Sequence, residues 1–172
     1  MLQDSTRRWF FPYLIRKFNL KVGVEVGVLY GDFSFCLCGE LDKLYLVDSW
    51  THKHKDNSPE QQKERVKRKL LGHSNYEIMH STSKDAASQF DDGFFDFVYI
   101  DAAHDFDSAL EDIALWFPKL KNNGVLAGHD YNLEAVKRAV DSYSFSNLSV
   151  LRGDKSESWW VIKNSPLTLD RP

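Results

Sequence analysis

Short apolar runs rich in β-branched and aromatic residues recur along the chain, separated by longer helical patterns, and this alternation constrains the fold more than any other feature. The runs are KVGVEVG (21–27), KLYLVD (43–48), YEIMH (76–80), FFDFVYID (94–101), GVLAGHD (124–130) and LSVLRG (148–153). Each is continuous rather than alternating, which suits strands covered on both faces. The helical patterns between them begin with a short one from Asp32 to Glu40. A second opens at Ser58-Pro59-Glu60, an N-cap followed by Pro at the first helical position, and Gly72 closes it. Ser83 is set to cap a third, before Asp91-Asp92-Gly93. Ala109, Ile113, Trp116, Phe117 and Leu120 keep helical spacing up to a turn at Asn122-Asn123-Gly124, and Leu133 to Ser144 forms the last. SWWVIKN (158–164) can return on 148–153 as a hairpin, with Trp159 and Trp160 on opposite faces. Repeated β-α units joined by right-handed crossovers predict an α/β, Rossmann-like doubly wound fold. Its sheet should have seven strands, mostly parallel, with an antiparallel C-terminal edge hairpin and helices on both faces.

At 172 residues the chain has the length of one domain. The expected division is an N-terminal helix over 1–19, a core over 20–163 and a tail over 164–172. A net charge of -3 gives no global attraction to nucleic acid or anionic membrane, and 12 Phe, 7 Tyr and 5 Trp exclude a disordered chain. No apolar run reaches the roughly 18–20 residues of a bilayer span. Pro12, Arg16 and Lys17 break up the N-terminal apolar patch, so it does not read as a signal peptide. Cys36 and Cys38 lie too close for an unstrained disulfide and do not form C-x-x-C, so buried thiols and a cytoplasmic setting are expected. His52 and His54 flank Lys53 in a loop that reads as a polar lid. The basic run KERVKRKLL (63–71) reads as a solvated helix face rather than a nucleic-acid site.

In such sheets ligands bind outside the carboxyl ends of the strands. The first strand leads into Glu25-Val26-Gly27-Val28-Leu29-Tyr30-Gly31, where two glycines at a strand-to-helix turn let backbone approach a ligand. Glu25 is a carboxylate in an apolar strand and asks for a partner, such as a cationic ligand group. Asp48 ends the second strand about twenty residues on, the spacing from which an acid accepts from ribose hydroxyls. Trp50 can then pack against an adenine, and Ser81 and Ser83 offer hydroxyls to the base edge. The fourth strand ends at Asp101, with His104 just beyond, and the fifth at His129-Asp130-Tyr131. Adjoining strand ends put Asp101, His129 and Asp130 together, and unpaired carboxylates so placed would raise one another's pKa unless a cation enters. Oxygen and nitrogen donors suit Mg or Mn.

VEVGVLYGDFS, LVDSW, FDFVYIDAAHDFDSALEDI and LKNNGVLAGHDY together resemble class I S-adenosylmethionine-dependent methyltransferases. They are most similar to the small-molecule O-methyltransferases of the macrocin and novobiocin type. The resemblance implies that Glu25, Gly27, Gly31 and Asp48 hold the cofactor, with Ser34 near its methionine carboxylate and Ser81 and Ser83 near its adenine. It also implies a divalent ion on Asp101, His129 and Asp130, although relatives often carry a second carboxylate where His129 stands. The expectation is transfer of a methyl group to a small-molecule hydroxyl with metal assistance. The alternatives are metal-free transfer with His104 or His129 as base, a nucleotide-dependent oxidoreductase, and a non-catalytic cofactor-binding module. The acceptor and the oligomeric state, including a homo-oligomer, stay open.

Overall fold

A computed structural model describes residues 6–51 and 58–163, so the start of the expected 1–19 helix, the expected polar lid with His52 and His54, and residues 164–172 lie outside the described residues. The sheet has seven strands: β1 (Val22–Val26), β2 (Lys43–Asp48), β3 (Tyr76–His80), β4 (Phe95–Ile100), β5 (Leu120–Gly128), β6 (Ser149–Leu151) and β7 (Ser158–Ile162). Their spatial order is β3-β2-β1-β4-β5-β7-β6, and only β7 runs against its neighbours. The expected doubly wound sheet and its closing hairpin are therefore both present.

Helices α1 (Arg7–Phe18), α2 (Asp32–Cys38) and α3 (Pro59–Lys69) contribute to one core cluster. Helices α4 (Ser83–Ala87), α5 (Phe106–Trp116) and α6 (Glu134–Asp141) contribute to the other. In β7, Trp160 and Ile162 join the first cluster, whereas Trp159 and Val161 join the second. Both tryptophans are buried, which accounts for the apolar run from Trp159 to Ile162. Each large side chain so buried contributes roughly 1.5–3 kcal/mol.

Three local expectations are corrected. Asn122-Asn123-Gly124 does not end the element before β5 but lies within β5, where the register jumps between Phe95↔Leu120 and Phe97↔Val125 and Asn123 takes φ 66°. Thr82, not Ser83, caps α4, accepting from the Asp85 N–H, because the Ser83 hydroxyl is used inside the protein. The last helix is shorter than 133–144, ending at Asp141. Ser58 forms the expected cap, and Gln61 completes a capping box with it. No helix among the described residues is long and apolar enough to cross a membrane.

Candidate active site

A cavity of about 530 Å³ opens at the carboxyl ends of β1, β2, β3 and β4. Its floor is the turn after β1. There Asp101 N–H donates to the Val26 carbonyl at 2.7 Å and Gly27 N–H to Val47 at 2.9 Å, so three strand ends converge on two residues. Gly27 has φ 92°, and a Cβ on it would fall 2.0 Å from the Asp101 carbonyl oxygen. Asp48 holds the turn from the other side. Its Oδ2 accepts from Val28 N–H and Leu29 N–H, each at 2.9 Å, and its Oδ1 from Trp50 N–H at 2.7 Å. A carboxylate offers about four acceptor sites, so there is room for one further donor. Gly31 departs from expectation: it does not line the cavity, but caps α2 at φ 77° with its open side against Val66 of α3.

Glu25 lines the cavity and is almost fully buried. Burial pushes its pKa up to about 8, opposed by the hydroxyl that Ser34 donates to it. Ser34 is itself fully buried and does not line the cavity, so the expected contact with a methionine carboxylate is replaced by this internal one. The shift has a measurable consequence. The unfolded Glu25 ionises near 4.5 and the folded one near 8, so between those values folding takes up a proton and stability falls as pH rises. Glu25→Gln lacks that titration. Thermal melts of the ligand-free protein should show the variant gaining on wild type by a few kcal/mol from pH 5 to pH 8. A gap that stays constant with pH would remove the buried carboxyl from the account.

Just past the ends of β4 and β5 stand Asp101, His104, His129 and Asp130. Asp130 sits at φ 58° just past β5 and is buried. Burial alone would raise its pKa, but hydrogen bonds from His104, His129 and Ser156 hold it well below the usual carboxylate range. His104 Nε2 lies 2.9 Å from Asp130 Oδ2, and this contact raises the imidazole's pKa. His129 Nδ1 lies 3.2 Å from Asp130 and 3.7 Å from Asp101. The two histidines differ in access. His104 is half exposed and lines the cavity, whereas His129 is largely covered and lines only a hollow of about 10 Å³ behind it.

Arg7, at the start of α1, is the residue that the strand pattern could not reveal. Its guanidinium donates to Asp101 Oδ2 at 2.6 Å and to the Tyr99 hydroxyl at 3.3 Å, and it lies 5.0 Å from the centre of the Phe33 ring. Its own N–H is anchored on Asp154 at 2.7 Å. The expectation that the two carboxylates raise one another's pKa unless a metal enters is thus corrected. Arg7 faces Asp101 and two imidazoles face Asp130. The expected ligand trio also changes, because the group whose donor atoms lie within 4.8 Å of one another is Asp101, His104 and Asp130 rather than Asp101, His129 and Asp130.

At the β3 end, Lys84, Glu111 and Asp112 line the cavity beside uncharged residues. Trp50 and Ser81 line it, with the Trp50 indole N–H held by the Leu29 carbonyl at 3.0 Å. Ser83 also lines it, but its hydroxyl donates to Asp112 of α5 and accepts from Trp116 Nε1 at 2.8 Å.

The sequence profile of a family described as "Methyltransferase domain" matches residues 24–131, more than half of the chain. No curated protein matches it. Solved structures with the same fold include an O-methyltransferase from Bacillus cereus in complex with SAH, at 14% identity and TM-score 0.67, covering 91% of this chain and 80% of that one. An rRNA methylase from Streptococcus thermophilus is 15% identical, with TM-score 0.71 and coverage of 96% and 99%. The N-methyltransferase NodS from Bradyrhizobium japonicum WM9 is 12% identical, with TM-score 0.65 and coverage of 91% and 94%. Their acceptors differ, so the likeness carries the fold and leaves the acceptor to this chain's own residues.

Proposed function

The chain belongs to the methyltransferase-domain family, and on that premise we propose that it moves the methyl group of S-adenosylmethionine to the hydroxyl oxygen of a small molecule, with His104 as base. The observation that carries this reading is the contact between His104, exposed to the cavity, and the buried Asp130 behind it. Asp130 fixes the ring through Nε2, so Nδ1 is the nitrogen left to take the acceptor's proton. As the proton leaves, the oxygen attacks the methyl carbon, a C–O bond forms, the C–S bond breaks, and the sulfonium leaves as a neutral thioether. Catalysis then consists of alignment plus proton removal.

The cofactor fits this cavity by charge. Glu25, whose buried carboxyl a neighbouring cation would ionise, suits the cationic methionine end, and the spare acceptor capacity of Asp48 suits a ribose hydroxyl. Trp50 and Ser81 suit a planar base. Gly27 serves by letting the strand ends close beneath the cofactor. The family places the chain among methyltransferases, so the oxidoreductase and binding-module readings fall away.

A metal-assisted form is favoured by one observation, the convergence of Asp101, His104 and Asp130. These donors have the right chemistry for Mg or Mn, which would polarise the acceptor oxygen. Against it, Arg7 and the imidazoles already balance both carboxylates. The test is calorimetry with S-adenosylmethionine and S-adenosylhomocysteine, then transfer to a panel of hydroxylated acceptors after exhaustive chelation. Full turnover after chelation is expected. Activity lost on chelation and restored by Mg or Mn transfers the role to the metal-assisted form. Cofactor binding with transfer only to amines overturns the hydroxyl acceptor.

A further inference from the structure

Asp112 is a buried carboxyl on α5 that the transfer reaction does not use, yet it lines the cavity. It faces the β3 end, in a hydrogen-bonded series that runs from Trp116 Nε1 to the Ser83 hydroxyl to Asp112 Oδ1. The series fixes directions. Ser83 accepts from the indole and donates to the carboxyl, so its hydroxyl proton is not available to a ligand, and no donor besides Ser83 is seen on Asp112 among the described residues. Burial pushes the Asp112 pKa up to about 6, which leaves it mainly ionised at pH 7.5. A carboxylate with one side-chain donor keeps acceptor capacity for a ligand, and a ligand that donates to it offsets the desolvation. Lys84, which also lines the cavity, pairs with Glu111 at 3.5 Å, so this cation is already engaged by another acid.

Which part of the cofactor arrives here follows from the order of charges along the cavity. Glu25 on β1, a buried carboxyl that a neighbouring cation would draw into its ionised form, suits the cationic end, and Asp48 on β2 lies between it and β3. The base is then directed to β3, α4 and α5, beside Trp50 and Ser81. Adenine presents one strong donor group on its pairing edge, the exocyclic amine, and hypoxanthine presents a carbonyl at the same position.

We propose that Asp112, oriented by Ser83 and Trp116, accepts a hydrogen bond from the exocyclic amine of adenine and is the residue that makes this site choose an adenine nucleoside. Ser83 is on this account a positioning residue and does not itself touch the base. The proposal rests on the cofactor reading above, and the experiment separates the two. Calorimetry compares S-adenosylhomocysteine with its deaminated analogue S-inosylhomocysteine, on wild type and on Asp112→Asn. Wild type is expected to prefer the adenine form by roughly 30-fold or more, the usual range for a hydrogen bond to a charged group. Asp112→Asn, whose amide can donate to the carbonyl of hypoxanthine, should bring the two affinities within about 3-fold. A preference that survives intact in a folded Asp112→Asn overturns the assignment. Equal affinities in wild type overturn it without recourse to the variant. Failure of wild type to bind either nucleoside overturns the cofactor reading itself.

Discussion

Gly27→Ala is expected to destabilise the protein by about 4 kcal/mol or more, a loss reserved for substitutions that break a defined feature of the fold. Two effects add there. The left-handed backbone at φ 92° costs an alanine about 1–2 kcal/mol, and its Cβ would fall 2.0 Å from the Asp101 carbonyl oxygen, which is backbone and cannot swing aside. Relief requires the ends of β1 and β4 to separate, which breaks the bond from Asp101 N–H to Val26 and moves the floor of the cavity. Gly72→Ala and Gly93→Ala supply the control. Both glycines have positive φ, at 98° and 72°, with nothing within 4 Å of an added Cβ, so they isolate the conformational cost. Denaturant melts should show Gly72→Ala and Gly93→Ala losing about 1–2 kcal/mol each and Gly27→Ala at least twice that. Should Gly27→Ala fall in line with the other two, the close crossing of β1 and β4 is not what holds the cavity floor.

This tight crossing also illustrates what a sequence can disclose. The strands are legible because most are built on a short apolar run, and the chemistry because several lead into a polar residue, as at Asp48 and Asp101. The closing hairpin was legible because Gly153-Asp154-Lys155 separates two such runs. Local hydrogen-bond choices were not. Ser34 and Ser83 carry hydroxyls at the right places for a ligand, but each donates to a buried carboxyl brought by another element, Glu25 from β1 and Asp112 from α5. Pairings of that kind depend on packing, which no spacing rule encodes. Arg7 is a sharper case. Ninety-four positions separate it from Asp101, and only the docking of α1 across the cavity makes them an ion pair. Carboxylates at strand ends show in the sequence as a pattern, whereas the cation beside Asp101 arrives from a helix outside that pattern. The full length of β5 is hidden in the sequence for a related reason. Asn122-Asn123-Gly124 is a turn by composition, yet β5 absorbs it as an irregularity in the ladder while keeping Phe95 opposite Leu120.

His104→Ala is expected to lower kcat/KM for methyl transfer by about 10²–10⁴-fold, the range for removing a general base. The imidazole is half exposed in the cavity, so its loss should leave S-adenosylhomocysteine affinity within about 3-fold and the fold intact. Exogenous imidazole should restore part of the rate, because the cavity left behind opens to solvent. Asp130→Asn probes the same dyad from behind. Asparagine tolerates the left-handed φ of 58° at this position, so the backbone survives, but the imidazole loses the acceptor that orients it. Its rate should fall as well, and doubling it with His104→Ala should add little, since residues acting as one unit are not additive. His129→Gln is the discriminating control. Its ring lies behind the cavity wall, between Asp101 and Asp130, and substitution there should slow transfer by less than about 10-fold. If His129→Gln loses more than His104→Ala, the base is His129. If His104→Ala turns over at the wild-type rate with a full complement of cofactor bound, the proton leaves by another route and the His104–Asp130 contact is structural.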